Sequence, residues 1–239
     1  DCPITSFAHR DPHDLKQKLA ALPGSARPLL MTDGMFSHDG SIAPLKTYEK
    51  LLPKGGWMLV DDAHGAGIAG ATGRGTLQAE GVTRRRIIQT ITLSKAFGVA
   101  GGVILGSQAL IDKMATRSRA FQGSTPLPLP LVHATLSSIA LLRRNKSFRV
   151  RLRVNTHIAK AELTAAGFPT PDNSSPIISI VPRWAHETKA LSRQLTLNGV
   201  FPSWIRYPGG PKNGYFRFAI SSEHSHEQIR ALTNALTEF

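Results

Sequence analysis

Three short apolar runs, each stopping at a polar cluster, constrain this chain more than any other feature. Pro28-Leu-Leu-Met-Thr32 ends in Asp33-Gly34, Trp57-Met-Leu-Val60 runs into Asp61-Asp62-Ala63-His64 and a glycine-rich loop, and Ile87 to Leu93 leads into Ser94-Lys95. Runs of this length bounded by turn residues read as strands, and they are separated by helical patterns. Asp14 to Leu22 places Leu15, Leu19 and Leu22 at helical spacing and stops at Pro23-Gly24; Pro44 opens a second helix that Pro53 and Gly55-Gly56 close. Val103 to Leu105 reads as a fourth strand. Strands alternating with helices, with near-continuous apolar runs, predict an α/β chain with a mostly parallel sheet buried on both faces. Ligands of such sheets collect beyond the carboxyl ends of the strands. Three polar clusters fall there: Asp33 to Ser37, Asp61 to His64, and Thr92 to Lys95.

The pattern changes after about residue 130. Leu131 to Arg153 reads as helix, continuing through Thr156 to Ala166 and ended by Gly167-Phe168-Pro169. Ile177–Val181, Gly199–Ile205 and Tyr215–Ser221 read as strands, with helices at Ala185–Leu197 and Ser225–Leu236, the last N-capped by Ser225. This divides the chain into 1–145, part of a large α/β domain, and 146–239, a small α+β domain.

Composition removes several alternatives. A chain of 239 residues, 41% hydrophobic and 19% charged, has the makeup of a globular protein. The single cysteine, Cys2, excludes a disulfide framework and a Cys-rich zinc site. No stretch has the ~18 consecutive apolar residues of a membrane span, which suits a cytoplasmic protein without a membrane partner. Asp1-Cys2-Pro3 is neither a signal peptide nor an initiator methionine. The net charge of +13 comes largely from Arg84-Arg85-Arg86 and from Arg143, Arg144, Lys146, Arg149, Arg151 and Arg153. Neither run carries interleaved aromatics or zinc-finger spacing, so no nucleic-acid partner is expected. The runs read as a solvated helix face, or as a surface for an anionic small molecule or carrier.

Lys95 is the first residue with evident chemistry. A lysine at the end of an apolar strand is partly desolvated, which lowers its pKa and suits Schiff-base formation. Alone it reads as a surface lysine, just as Asp61 alone reads as a helix or turn cap and His64 alone as a loop histidine. Together, a lysine and an acid at neighbouring strand ends are what pyridoxal phosphate (PLP) requires: an amine for its aldehyde and a carboxylate for its pyridinium nitrogen.

Val60-Asp-Asp-Ala-His-Gly-Ala-Gly67, Gly70-Ala-Thr-Gly-Arg-Gly75 and Thr92-Leu-Ser-Lys-Ala-Phe-Gly98 resemble the α-oxoamine synthases, PLP enzymes of the aspartate-aminotransferase fold type I. Phe7-Ala-His-Arg-Asp11, Thr32 to Gly40 with Ala43-Pro-Leu45, Ser124-Thr-Pro-Leu-Pro128 and Tyr215 to His224 are similar to further motifs of that family, in the same order. The resemblance implies that Lys95 carries the Schiff base with PLP and later moves the Cα proton. Asp61 would pair with the ring nitrogen, His64 with the ring oxygen, and Ser37 would lie against the cofactor. Thr92 would bind the phosphate, and Ser124 and Thr125 that of the neighbouring subunit in a homodimer with shared sites. Arg217 would clamp the substrate carboxylate. The implied reaction condenses a small amino acid with an acyl-CoA or an acyl carrier protein thioester, with decarboxylation to an aminoketone. The wording is nearest the biotin-pathway branch, with glycine acetyl transfer, amino transfer, or an inactive dimerisation or binding fragment as alternatives.

The sequence departs from the family in three ways. Members begin well upstream of Asp1 and carry there a cofactor-stacking histidine that His9 and His13 do not replace, so the chain is expected to be a C-terminal part with little catalysis alone. Pro208-Gly-Gly-Pro211 lacks a threonine found in the biotin-pathway members, and Tyr215 stands where an Arg-x-Arg pair has its first arginine.

Overall fold

A computed structural model describes residues 2–182, 184–207 and 210–237. Pro208 and Gly209, half of the departure at 208–211, lie outside the described residues. The chain divides into two units, one of Asp1–Met35 and Ile42–Arg144, the other of Phe36–Ser41 and Asn145–Phe239.

In the first unit α1 (Pro12–Ala20) starts where the Asp11 side chain accepts from the backbone N–H groups of His13 and Asp14, with Pro12 at the first helical position. β1 (Leu29–Asp33), α2 (Leu45–Leu51), β2 (Trp57–Asp61), α3 (Thr76–Ala79), β3 (Ile87–Thr92) and β4 (Gly102–Leu105) follow, then α4 (Gln108–Arg117), α5 (Arg119–Gln122) and α6 (Leu129–Arg144). The sheet order is β1-β2-β3-β4, with the first three strands parallel and β4 antiparallel on the edge. The expectation of strands buried on both faces is corrected. Burial alternates along β2, where Met58 and Val60 are fully buried, and on β3, where Ile87 and Gln89 are. On the opposite face of β1 Leu29 is 49% and Met31 62% exposed. The apolar residues on that face had removed the period-2 signal from the sequence. Neither α3 nor α5, each a single turn, shows a periodicity, and α4, with Leu110, Ile111 and Met114 at helical spacing, was passed over.

The second unit is built from α7 (Ser147–Ala165), β5 (Ile177–Ile180), α8 (Ala185–Leu197), β6 (Trp204–Ile205), β7 (Tyr215–Ala219) and α9 (His226–Thr237). Its antiparallel sheet has the order β5-β7-β6. Ile178, Ile180, Phe216 and Phe218 form one core with Leu163 of α7, Leu191 and Leu195 of α8, and Ile229, Leu232 and Leu236 of α9. The helix expected from Leu131 to Ala166 is two helices, because Asn145 Oδ1 accepts from the N–H and hydroxyl of Ser147 and starts α7 afresh. The strand expected over Gly199–Ile205 shrinks to two residues after Pro202, which has no N–H to donate. Ser225 does cap α9: its Oγ accepts from Gln228 N while Gln228 Oε1 accepts from Ser225 N, a reciprocal capping box.

The second basic run is not a uniform solvated face. Arg149 is buried, and Arg151 pairs with Glu223 at 2.5 Å and donates to Ser222 O. Among the described residues no helix is long and apolar enough to cross a membrane.

Candidate active site

The parallel register sets Asp33 beside Asp61 and Asp61 beside Thr90, so the ends of β1, β2 and β3 form one polar edge. Asp61 is exposed there, its Oδ1 accepting from Ala63 N at 3.0 Å. Asp62, next in sequence, falls in the same row as Met58 and Val60 and is fully buried. Its Oδ1 accepts from Thr76 Oγ1 at 2.8 Å, and its Oδ2 accepts from Thr76 N at 2.8 Å and Gln89 Nε2 at 2.7 Å. Burial pushes the Asp62 carboxyl up to about 6, against the opposing pull of those hydrogen bonds. Its backbone carbonyl accepts from Gly65 N and Ala66 N and so closes the turn that carries His64.

Beyond β3 the chain forms a tight loop in which Leu93 N donates to Gly101 O, Val99 N to Leu93 O and Gly98 N to Lys95 O. Lys95 is exposed at its tip, and its Nζ lies 2.8 Å from His64 Nε2. The two loops come this close because Gly67, at φ 88°, has no side chain; a Cβ there would stand 2.6 Å from that of Ala96. Thr92 Oγ1 is 2.7 Å from Ser94 Oγ and accepts from Ser94 N at 3.3 Å, so two hydroxyls sit together at the end of β3. Asp61 and Thr92 thus share with the Lys95–His64 pair the edge where β1, β2 and β3 end. Ser124 and Thr125 are exposed just after α5, where the Ser124 hydroxyl donates to Ala120 O.

Ser37 and Arg217 belong to the second unit and meet there. Arg217 Nη1 donates to Ser37 O at 3.1 Å. Residues 215 and 217 point away from the core that Phe216 and Phe218 join, and Ser179, in register with Arg217, donates its hydroxyl to His38 O. The face of the small sheet turned from its core therefore carries the 36–41 segment. Tyr215 Oη is buried without a partner among the described residues, and burial pushes its pKa up while Arg217 opposes this.

The sequence reading gave no role to Asp62, Gln89 or Ser94. Strand parity was the available signal for the first: an acid two residues after Val60 falls on the covered face, opposite to Asp61. Ser94 lay inside the Thr92–Lys95 motif but drew no separate role.

A mostly parallel sheet with lysine, acid and histidine gathered on its carboxyl edge is the fold of the type I PLP-dependent transferases. The chain matches the family described as aminotransferase class I and II over residues 1–236, and it belongs to that family. Within it the chain is similar to α-oxoamine synthases. The 8-amino-7-oxononanoate synthase of Thermosipho melanesiensis is 37% identical over 225 residues, 93% of this chain and 58% of the relative. A serine palmitoyltransferase from S. paucimobilis, solved with a PLP–myriocin adduct, superposes with a TM-score of 0.89 at 27% identity, covering 97% of this chain and 59% of that one. The 8-amino-7-oxononanoate synthase of Francisella tularensis does so with a TM-score of 0.81 at 27% identity, covering 94% and 65%. The chain spans about 60% of the length of the curated relatives it matches.

Proposed function

We propose that this chain supplies the lysine-bearing part of a PLP-dependent acyltransferase of the 8-amino-7-oxononanoate synthase kind. An amino acid and an acyl thioester, on coenzyme A or a carrier protein, would give an aminoketone, carbon dioxide and the free thiol. The observation that carries this reading is the 2.8 Å approach of His64 Nε2 to Lys95 Nζ, with the Asp61 carboxylate at the neighbouring strand end.

The donor set fits the cofactor. Lys95 offers an exposed amine for its aldehyde, and Asp61 an exposed carboxylate for its ring nitrogen. His64 suits the ring oxygen, and the Thr92 hydroxyl, beside that of Ser94, suits the phosphate. When bound, PLP supplies the electron sink that makes an amino-acid Cα proton removable. Lys95 would be the group to move that proton. Arg217 offers a planar fork for the substrate carboxylate, and Ser37, whose carbonyl it touches, would lie against the cofactor. Ser124 and Thr125, exposed on their loop, are assigned to the phosphate of a second copy in a homodimer. Residues 1–145 would be part of the large cofactor domain and 146–239 the small domain. A cytoplasmic setting belongs to the same reading.

The test is reconstitution of the chain with PLP, borohydride reduction and mass mapping of the adduct. A label on Lys95 is expected; a folded protein without it overturns the reading. Release of free thiol dependent on the acyl thioester is expected of a preparation that turns over, whereas amino transfer dependent on a keto acid would make the protein an aminotransferase. The chain by itself is expected to turn over weakly or not at all.

A further inference from the structure

We propose that Asp62 is a positioning residue, whose buried carboxylate ties three loops together and thereby holds His64 against Lys95. This rests on the proposed function only in taking Lys95 as the cofactor lysine.

Asp62 lies in an apolar row behind Met58 and Val60, where burying a carboxylate is expensive and an aliphatic side chain would pack at less cost. What the carboxylate adds is direction. Its two oxygens take three hydrogen bonds from neutral donors, two from Thr76 at the start of α3 and one from Gln89 on β3. Three glycines press on the same group. A Cβ at Gly34, at Gly65 or at Gly75 would stand 2.8, 2.1 or 1.9 Å from a carboxylate oxygen of Asp62. These glycines come from the loop after β1, from the His64 turn and from the residue before α3. The three segments therefore converge on one side chain.

The same residue is continuous with the reactive groups. Its N–H donates to Thr90 O on β3 at 2.8 Å, and its carbonyl closes the turn over His64 through Gly65 N and Ala66 N at 3.1 and 2.9 Å. Asp61 precedes it directly, and Asp61 O accepts from Gly34 N at 2.7 Å, one of the three crowded glycines. Release of the Asp62 carboxylate would free the His64 turn and the Asp61 strand end together. Groups held within a fraction of an ångström are sensitive to such release, and a misplacement of about 1 Å can cost on the order of 100-fold in rate.

The experiment compares the wild-type chain with Asp62→Asn, Thr76→Val and Thr76→Ser. Asn puts a donor in place of one carboxylate oxygen, so the Thr76 hydroxyl must turn from donor to acceptor to keep its bond. Val keeps the shape and backbone N–H of residue 76 but loses the hydroxyl, and Ser keeps both hydrogen bonds. Three quantities are measured: the unfolding transition, the imidazole NMR signals of His64 without PLP, and the rate at which PLP and borohydride label Lys95. Asp62→Asn and Thr76→Val are expected to unfold cooperatively, to shift the His64 signals and to lower the labelling rate by about 10- to 100-fold. Thr76→Ser, which loses only a buried methyl, is expected to match wild type in its His64 signals and labelling rate. Folded variants with unchanged His64 signals and labelling within twofold of wild type overturn the proposal. Loss of the folded state in both Asp62→Asn and Thr76→Val overturns it in favour of a purely structural role. If only Asp62→Asn unfolds, Thr76→Val decides by the same criteria. A wild type that is never labelled on Lys95, with His64 signals that still shift in the variants, defeats the proposed function and leaves this inference standing.

Discussion

His64 Nε2 and Lys95 Nζ meet at 2.8 Å across 31 residues of sequence, because each sits on the loop that leaves one of two adjacent parallel strands. One nitrogen of the pair must accept. With Lys95 as the ammonium donor, His64 is neutral and carries its proton on Nδ1. The amine is thus held in one direction before any ligand arrives.

Removing the imidazole tests how much that direction matters. His64 is half-buried and bonded to Lys95, and His64→Ala is expected to cost about 1 kcal/mol of stability. Its hydrogen bond to a charged or charge-sharing partner is worth about 1.5–3 kcal/mol, so PLP is expected to bind about 10- to 100-fold more weakly. Equilibrium dialysis against PLP, with a parallel urea melt, separates the two effects.

Asp62 gives stability a pH dependence of a particular sign. Its carboxyl is raised from 3.8 to about 6 on folding, so the folded state holds the proton more tightly. That contribution is fully present below pH 3.8 and is lost as pH rises through about 6. In this window stability should fall with rising pH by on the order of 1 kcal/mol per unit, an effect absent from Asp62→Asn. Urea titrations of both proteins across the window should therefore give a stability difference that changes below about pH 6 and is constant above it. Parallel lines throughout would refute the assignment.

The closeness of the two loops can be tested at Gly67. An alanine there must adopt φ 88° and place its Cβ 2.6 Å from Ala96 Cβ. The left-handed strain alone costs about 1–3 kcal/mol. Gly67→Ala is expected to lower the urea midpoint and, by pushing the Lys95 loop outward, to slow labelling of Lys95. A lower midpoint with unchanged labelling would show that the contact at residue 67 does not set the position of Lys95.

Much of the architecture was legible because local chemistry and tertiary environment agreed. The ends of β1, β2 and β3 were visible where apolar runs met Asp33, Asp61 and Thr92, and Ser225 announced α9 through its side chain. The reading failed where a signal was tertiary. Nothing local distinguished Leu29 and Met31 from residues packed on both faces of a sheet, yet they are exposed. Arg149 sat in a run of exposed arginines and is buried. Lys95 and His64 were each recognisable as candidates, but their contact depends on Gly67, whose importance is a distance and not a residue type. Asp62 was hidden by its neighbour: two acids in succession look alike in sequence, and only strand parity assigns one to solvent and the other to the core.

Tyr215 holds its hydroxyl in a buried place with no hydrogen-bond partner among the described residues. An unsatisfied buried polar group costs about 1–3 kcal/mol. Tyr215→Phe is expected to raise stability by about 1 kcal/mol, read as a higher urea midpoint. A lower midpoint would mean that the hydroxyl has a partner after all.

Arg217 is two residues further along the same face of β7, where its Nη1 donates to Ser37 O at 3.1 Å. One nitrogen anchors the 36–41 segment, and the guanidinium still has other donors for a ligand. A lysine keeps the charge but replaces the planar fork with a single ammonium, so it cannot hold a carboxylate by two parallel bonds. If the fork is the substrate clamp, Arg217→Lys is expected to weaken amino-acid binding by about 10- to 100-fold, the equivalent of one charged hydrogen bond. PLP binding should stay within a few-fold of wild type. The amino-acid-dependent change in the visible absorbance of bound PLP reports the first quantity, and dialysis the second. Equal losses of amino acid and PLP would instead assign Arg217 to holding the 36–41 segment, with Ser37 as its partner. Retention of both affinities would remove Arg217 from the site altogether.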